Sequence, residues 1–303
     1  MANVGGQAVL EGVMMRGPGN WAVAIRTPSG EIAQQSHQIE SAMARHRLYR
    51  LPIVRGIVAL GESLAIGFRA LSVSAHYAAA EEAEGDAEPA EIGRWAIAFS
   101  FLVAIGFAVA VFKVGPGLLA DLLPISSGFW FVLVEALIRV TIFVGYLALL
   151  SLIPNLKRVF QYHAAEHKAI NAYEAGVELT PENAQKFSLI HPRCGTSFLF
   201  WVVVISAFVY APFGRLPWQY VILTRALLLL PIAGLAYELI RFAGRHQDNR
   251  VLMTLLAPGL WLQRLTTREP ELDMLEVSIR ALNEVLDLEG TGTPGSQLVE
   301  VVA

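Results

Sequence analysis

Charge is scarce in this chain. Only 16% of its 303 residues are Asp, Glu, Lys or Arg, against about a quarter in soluble domains, and the mean hydropathy is +0.49. A chain so poor in charge cannot keep its whole surface in water, which excludes a wholly soluble enzyme and predicts an integral membrane protein. Cysteine is scarcer still: Cys194 stands alone, so no intrachain disulfide can form. No H-E-x-x-H, Walker or G-x-S-x-G string occurs, and no G-x-G-x-x-G opens a helix directly after a strand as a Rossmann fingerprint must, which removes the sequence warrant for several common enzyme classes. A net charge of -3 gives no basic field to attract nucleic acid, and none is expected as a partner. The opening Met-Ala-Asn-Val-Gly-Gly lacks a basic stretch followed by an apolar one, so no cleavable signal peptide is expected.

What the chain has instead is long apolar runs. Residues 92–114, 129–153 and 217–242 are each long enough to cross a hydrocarbon core of roughly 30 Å, and 197–213 is near the short limit. The 115–128 connection holds Asp121 and no Lys or Arg, whereas 45–55, 154–196 and the segment after Arg241 are basic. The positive-inside rule then predicts four transmembrane helices in the bacterial inner (cytoplasmic) membrane, with both termini and 154–196 in the cytoplasm. Within Ile53 to Ala75, the charges Arg55, Glu62 and Arg69 recur every seven residues on one helical face. That pattern predicts an amphipathic interfacial or partly inserted helix over 51–76, and a true span there would change the topology.

The rest reads as soluble. In residues 1–50, strand-sized runs Val9–Arg16, Trp21–Thr27 and Glu31–Gln38 are separated by Gly17-Pro18-Gly19-Asn20 and Thr27-Pro28-Ser29-Gly30, which predicts a small antiparallel β meander. Residues 77–91 form an acidic linker. The predicted fold class is therefore a mainly α multi-pass membrane protein, with transmembrane hairpins at 92–153 and 197–243 and a helical segment at 154–196 between them. Residues 250–289 predict an interfacial helix broken at Pro258-Gly259 and then a soluble helix. Its Leu272, Leu275, Ile279, Leu282 and Leu286 make a narrow seam, for packing on this chain or for a homodimer. The Gly/Thr/Ser-rich tail 290–303 is expected to be disordered. Glu135 and Arg139, four apart in the second span, and Arg225 in the fourth predict intramembrane pairing or a polar pathway.

One string carries chemistry. His163-Ala-Ala-Glu166-His167 places two imidazoles on one helical face, close enough to share a metal ion, with a carboxylate beside the second. The order H-x-x-E-H is that of inverted zincins, in which the glutamate takes a proton from water. A catalytic site needs a third ligand. The candidates are Glu238, near the cytoplasmic end of the fourth span, then His191, then Cys194, in that order. The competing reading makes these histidines helix caps or lipid-phosphate contacts, and pairs Glu166 with Lys168 or Arg193. A plain i,i+3 pair with Arg241 competes for Glu238.

Further strings complete a pattern. Gly5-Gly6-Gln7-Ala8-Val9-Leu10-Glu11-Gly12-Val13-Met14-Met15-Arg16 opens the chain, followed by Arg55-Gly56, Glu62-Ser63-Leu64 and Tyr162 to Lys168. Tyr173-Glu174, His191-Pro192-Arg193-Cys194-Gly195-Thr196-Ser197-Phe198, Pro258 to Gln263 and Thr266 to Pro270 follow. Together they resemble the YqhQ-like family, the bacterial domain of unknown function 1385, from Gly5 to about Leu286. Ala164 departs from the glycine found in many members and touches no candidate ligand. The resemblance implies a multi-pass membrane protein, often described as a candidate metal-dependent enzyme with no reaction assigned.

These readings combine into a metal-dependent membrane hydrolase at the cytoplasmic face, acting on a peptide or lipid headgroup. His163 and His167 would hold zinc (or iron or manganese), Glu166 would act as base, and Asn171 and Glu174 would orient the ligands. Glu11 lies in or beside the first strand, and Arg16 or Arg193 is expected to bind an anionic substrate group. The rival is a non-catalytic membrane scaffold that recruits a cytoplasmic protein partner; a transporter is weaker, since four spans show no repeat.

Overall fold

The computed structural model describes residues 3–82 and 94–291. Most of the acidic linker and the tail beyond residue 291 lie outside the described residues. The chain runs β1 (Gly5–Val9), β2 (Gly12–Arg16), β3 (Asn20–Arg26), β4 (Ile32–Gln38), α1 (Ala42–Arg45), α2 (Val54–Glu82) and α3 (Arg94–Val109). A π-helical turn, Ala110–Val114, joins α3 to α4 (Gly115–Asp121). Then follow α5 (Gly128–Ser151), α6 (Leu156–Glu174), α7 (Pro181–Ala184), α8 (Gly195–Tyr210), α9 (Trp218–Arg245), α10 (Arg250–Thr266) and α11 (Leu272–Thr291). The molecule is mainly helical, with one small antiparallel sheet at its start.

The sheet has order β1-β2-β3-β4 and one strand more than the sequence predicts. The predicted first strand, Val9–Arg16, is broken by a two-residue turn at Leu10-Glu11, where Glu11 takes φ +50°. Gly12 follows because a Cβ there would lie 2.2 Å from the Ala24 carbonyl oxygen. Both faces of the sheet are covered, as the period-two pattern requires. Val13, Met15, Ala22 and Ala24 face Tyr162, Ala165 and Ala169 of α6 and Leu275, Leu282 and Val285 of α11. Met14, Trp21, Val23 and Ile25 face Ile66 and Ala70 of α2. Each fully buried Val, Leu or Ile contributes about 1.5–3 kcal/mol, so a meander that is marginal alone becomes the centre of a three-layer unit. The α11 seam is spent within the chain: Leu275 and Leu282 are fully buried, and Leu272 alone of the five is exposed.

Among the described residues, five helices are long and apolar enough to cross a membrane: Val54–Ala78, Leu102–Asp121, Gly128–Ser151, Gly195–Phe213 and Gln219–Arg245. The first is the stretch predicted as interfacial. It is a continuous helix whose early part packs through Ala59 with Ala236, Tyr237 and Ile240 of α9. Its later part lies on the sheet, while Leu64, Phe68 and Leu71, at spacings of four and three, form an exposed apolar stripe. At one end of the bundle Asp121 pairs with Arg215, and Gly128 packs on Gly214, whose φ of +60° makes the tight turn between α8 and α9. At the other end Arg193, just before α8, packs on Gly244 near the end of α9, and Arg268 donates to the Ser151 carbonyl that closes α5. The sheet, α6 and α11 gather at this second end.

Candidate metal centre

Helix α6 is buried over most of its length, so each of its polar groups must find a partner. Lys168 Nζ donates to the carbonyls of Gln185 (2.6 Å) and Phe187 (2.9 Å). Asn171 Nδ2 donates to those of Ser188 (2.9 Å) and Ile190 (3.2 Å). His167 Nδ1 lies 2.6 Å from the Leu189 carbonyl oxygen. One face of α6 thus stitches down the 185–190 strap, which carries the chain into His191 and Cys194. Gln263 of α10 fixes the same turn, accepting from His191 N (2.9 Å) and donating to the His191 carbonyl and Ser197 Oγ (2.8 Å each).

The result brings three ligand atoms together. One atom each of His163, His167 and Cys194 lies within 4.8 Å of the others, and His163 Nε2 is 3.3 Å from Cys194 Sγ. The His163–Cys194 separation is that of two ligands on one tetrahedral zinc, roughly 3.3–3.7 Å. His163 Nδ1 lies 2.9 Å from the Thr266 carbonyl oxygen. A carbonyl can only accept, so both imidazoles carry their proton on Nδ1 and turn the Nε2 lone pair inward. His167 Nε2 is buried with no hydrogen-bond partner, the signature of an atom placed for something else. Two imidazoles and one thiol suit zinc or a similar divalent ion, and leave a fourth position open.

Glu166 is 2% exposed, with Oε1 unpartnered. Its side chain stands against Gly6 of β1, where a Cβ would come within 2.8 Å of Glu166 Cγ. Burial raises its pKa to about 7, against the opposing pull of His163, the Gly6 N–H and Arg193. That is the range for a base working near neutrality.

The other predicted residues lie elsewhere in the network. Glu238, ranked first as third ligand, is outside the cluster: Arg55 Nε donates to its Oε1 at 2.6 Å, and Arg241 is 3.9 Å from its Oε2. The close helix pair α2–α9 explains this, because Arg55 enters beside Glu238 and needs a carboxylate. His191 is buried near the cluster, its ring 5.9 Å from that of His167. Burial, with Arg193 and His167 adding to it, lowers its pKa to about 4, so it is neutral near pH 7. Glu174 Oε2 is 3.5 Å from His191 Nε2, a loose electrostatic contact rather than a good hydrogen bond. Burial pushes the Glu174 carboxyl up, but the nearby His191 and Arg193 outweigh it and hold it below the usual carboxylate range.

Neither arginine expected to receive substrate is free. Arg193 donates to Glu174 and to the Val4 carbonyl (2.9 Å); Arg16 donates to Ser63 Oγ (2.7 Å) and Glu62 Oε2 (2.9 Å). Both are buried, and a buried cation requires such partners. Glu11, at the hairpin turn, accepts from Arg158 Nε at 2.6 Å. Sequence reasoning missed the roles of Thr266, Leu189 and Gln263. The first two act through backbone carbonyls, which carry no sequence signal. Gln263 closes the Pro-Gly-Leu-Trp-Leu-Gln string and was legible only as part of that pattern.

Comparison with known proteins agrees on kinship. Residues 51–288 match the family model described as "Protein of unknown function (DUF1385)". The uncharacterized protein YqhQ of Bacillus subtilis (strain 168) is 34% identical over 294 residues, covering 94% of this chain and 92% of that protein. No solved structure matches this chain. On the extent of both matches, the chain belongs to the DUF1385 family.

Proposed function

We propose that this protein is a metal-dependent hydrolase working at the cytoplasmic face of the cell membrane, with both termini cytoplasmic. The observation that carries this reading is the convergence of His163, His167 and Cys194, with both imidazoles oriented from behind by carbonyls. These three residues would hold a divalent ion, zinc before iron or manganese. Bound there, such an ion supplies Lewis acidity and makes water a nucleophile near neutral pH. Glu166 would act as the base, taking a proton from the attacking water and returning it to the leaving group. Gly6 lets β1 approach closely enough to keep bulk water from the carboxylate. Asn171 and Lys168 hold the strap, and with it the path of the chain to Cys194. The substrate class is a peptide or lipid headgroup at the membrane boundary, argued from the position of α6 directly after α5.

The test compares wild type, His163→Ala and Glu166→Gln in bilayer discs against reporter peptides and phospholipid esters. Turnover in wild type, absent from both variants while Glu166→Gln keeps its metal, supports the assignment. Equal turnover in Glu166→Gln removes the base. Turnover by none of the three, with no metal bound, leaves the scaffold reading in its place.

A further inference from the structure

At the end of the bundle away from α6 lies a cavity of about 680 Å³, lined mainly by apolar side chains from α3 to α5 and from α8 and α9. Its polar wall is unusual. Lys113, Glu135, Tyr210 and Arg225 all line it, and Arg139 stands directly behind Glu135. Glu135 sits on the second turn of α5, about 10 Å below the helix start by rise per residue. These are charges inside the hydrocarbon-facing part of the bundle, where an ionisable group marks a functional site by default.

The local chain geometry explains how the charges are held. Pro116 has no N–H, so the Phe112 carbonyl loses its helical partner. The chain widens into a π turn there, with Gly115 N–H bonding the Ala110 carbonyl. Arg139 Nε fills the vacancy, donating to the Phe112 carbonyl at 3.0 Å, and Arg225 Nη1 donates to the Lys113 carbonyl at 3.2 Å. Both arginines also bind Glu135, Arg225 Nη2 reaching Oε2 at 2.7 Å. Glu135 is thereby shared between two guanidinium groups, and Lys113 adds a third cation to the same field. Asp121 and Arg215 cancel each other at the mouth. Among the described residues, three cations therefore face one carboxylate, and Lys113 Nζ makes no hydrogen bond to any of them. A second, independent sign is the Tyr210 hydroxyl: the residue is 6% exposed, lines the cavity, and its oxygen has no hydrogen-bond partner.

We infer that this cavity is a binding site for an acidic phospholipid of the far leaflet, its phosphate drawn in toward Lys113, Arg225 and Tyr210 and its acyl chain lying along the apolar wall. Surplus positive charge in a low-dielectric site calls for an anion. The apolar remainder of the lining calls for an amphiphile rather than a free ion. This site is separate from the metal centre, and its test does not depend on that reading.

The experiment uses delipidated full-length protein in detergent, titrated with phosphatidylglycerol, phosphatidylcholine of the same chains, or inorganic phosphate alone. Thermal shift and native mass spectrometry serve as readouts. The expected result is one tightly held phosphatidylglycerol, no matching shift with phosphatidylcholine, and weak or no binding of phosphate alone. Lys113→Gln should weaken phosphatidylglycerol binding by roughly tenfold or more, the scale of one charged hydrogen bond. Tyr210→Phe removes a single oxygen and gives a second reading should Lys113→Gln fail to fold. Equal binding of both lipids, full binding by phosphate alone, or unchanged affinity in the folded variants would overturn the inference.

Discussion

At the scale of single residues, Glu166 and Gly6 carry the sharpest expectations. Burial raises the pKa of Glu166 to about 7, above the ordinary glutamate value of 4.5, so the folded state holds this proton more tightly than the unfolded chain. Its cost is absent below pH 4.5, grows as pH rises, and is complete above about pH 7. Glu166→Gln should therefore stabilise the metal-free protein above neutrality, by about 3 kcal/mol at most, and leave its stability nearly unchanged at pH 4. Denaturant titrations at both pH values check the sign. Gly6→Ala is a finer probe, because its Cβ would stand 2.7 Å from the Met14 carbonyl oxygen and 2.8 Å from Glu166 Cγ. About 1–3 kcal/mol of stability should be lost, with turnover reduced and bound metal retained; loss of metal would mean that β1 supports the ligands as well.

At the scale of elements, much was legible where pattern and packing agree. The H-x-x-E-H spacing alone put His163 and His167 on one face of α6, and their rings lie 4.5 Å apart. The seam of the last helix was visible in its three-and-four spacing, and α11 spends it on the sheet. Leu282→Ala should accordingly cost about 2–5 kcal/mol and expose the sheet, measurable as faster hydrogen exchange in β2 and β3. Exchange unchanged there would mean that α11 contributes little to holding the sheet. What the sequence did not disclose depends on long-range closure. Glu238 stood ahead of Cys194 on its place near the cytoplasmic end of the fourth span, yet α2 brings Arg55 to Glu238, while the strap pinned to α6 delivers Cys194 beside His163. Likewise the first strand read as one run, since only the backbone shows the turn at Glu11.

At the scale of the molecule, the contacts set which segments lie together. The sheet packs on α11 and α6, so both ends of the described chain gather at one end of the bundle, away from the turn that joins Asp121 to Gly128. Cysteines placed at Ser29 and Glu271, in a Cys194→Ala background, should react with an impermeant reagent from the same face, and one at Leu122 from the other. Labelling of Ser29 and Glu271 from opposite faces would contradict this arrangement and require α2 to cross the membrane. The central claim, however, is the ligand set. The measurement that tests it most directly is metal content by mass spectrometry on tag-free protein purified in detergent, comparing wild type, Cys194→Ala and Glu238→Gln. The account predicts near-stoichiometric divalent metal in wild type and Glu238→Gln, and its loss in Cys194→Ala. A wild type that stays metal-free after reconstitution with zinc, iron and manganese, or metal that survives in Cys194→Ala, would contradict it.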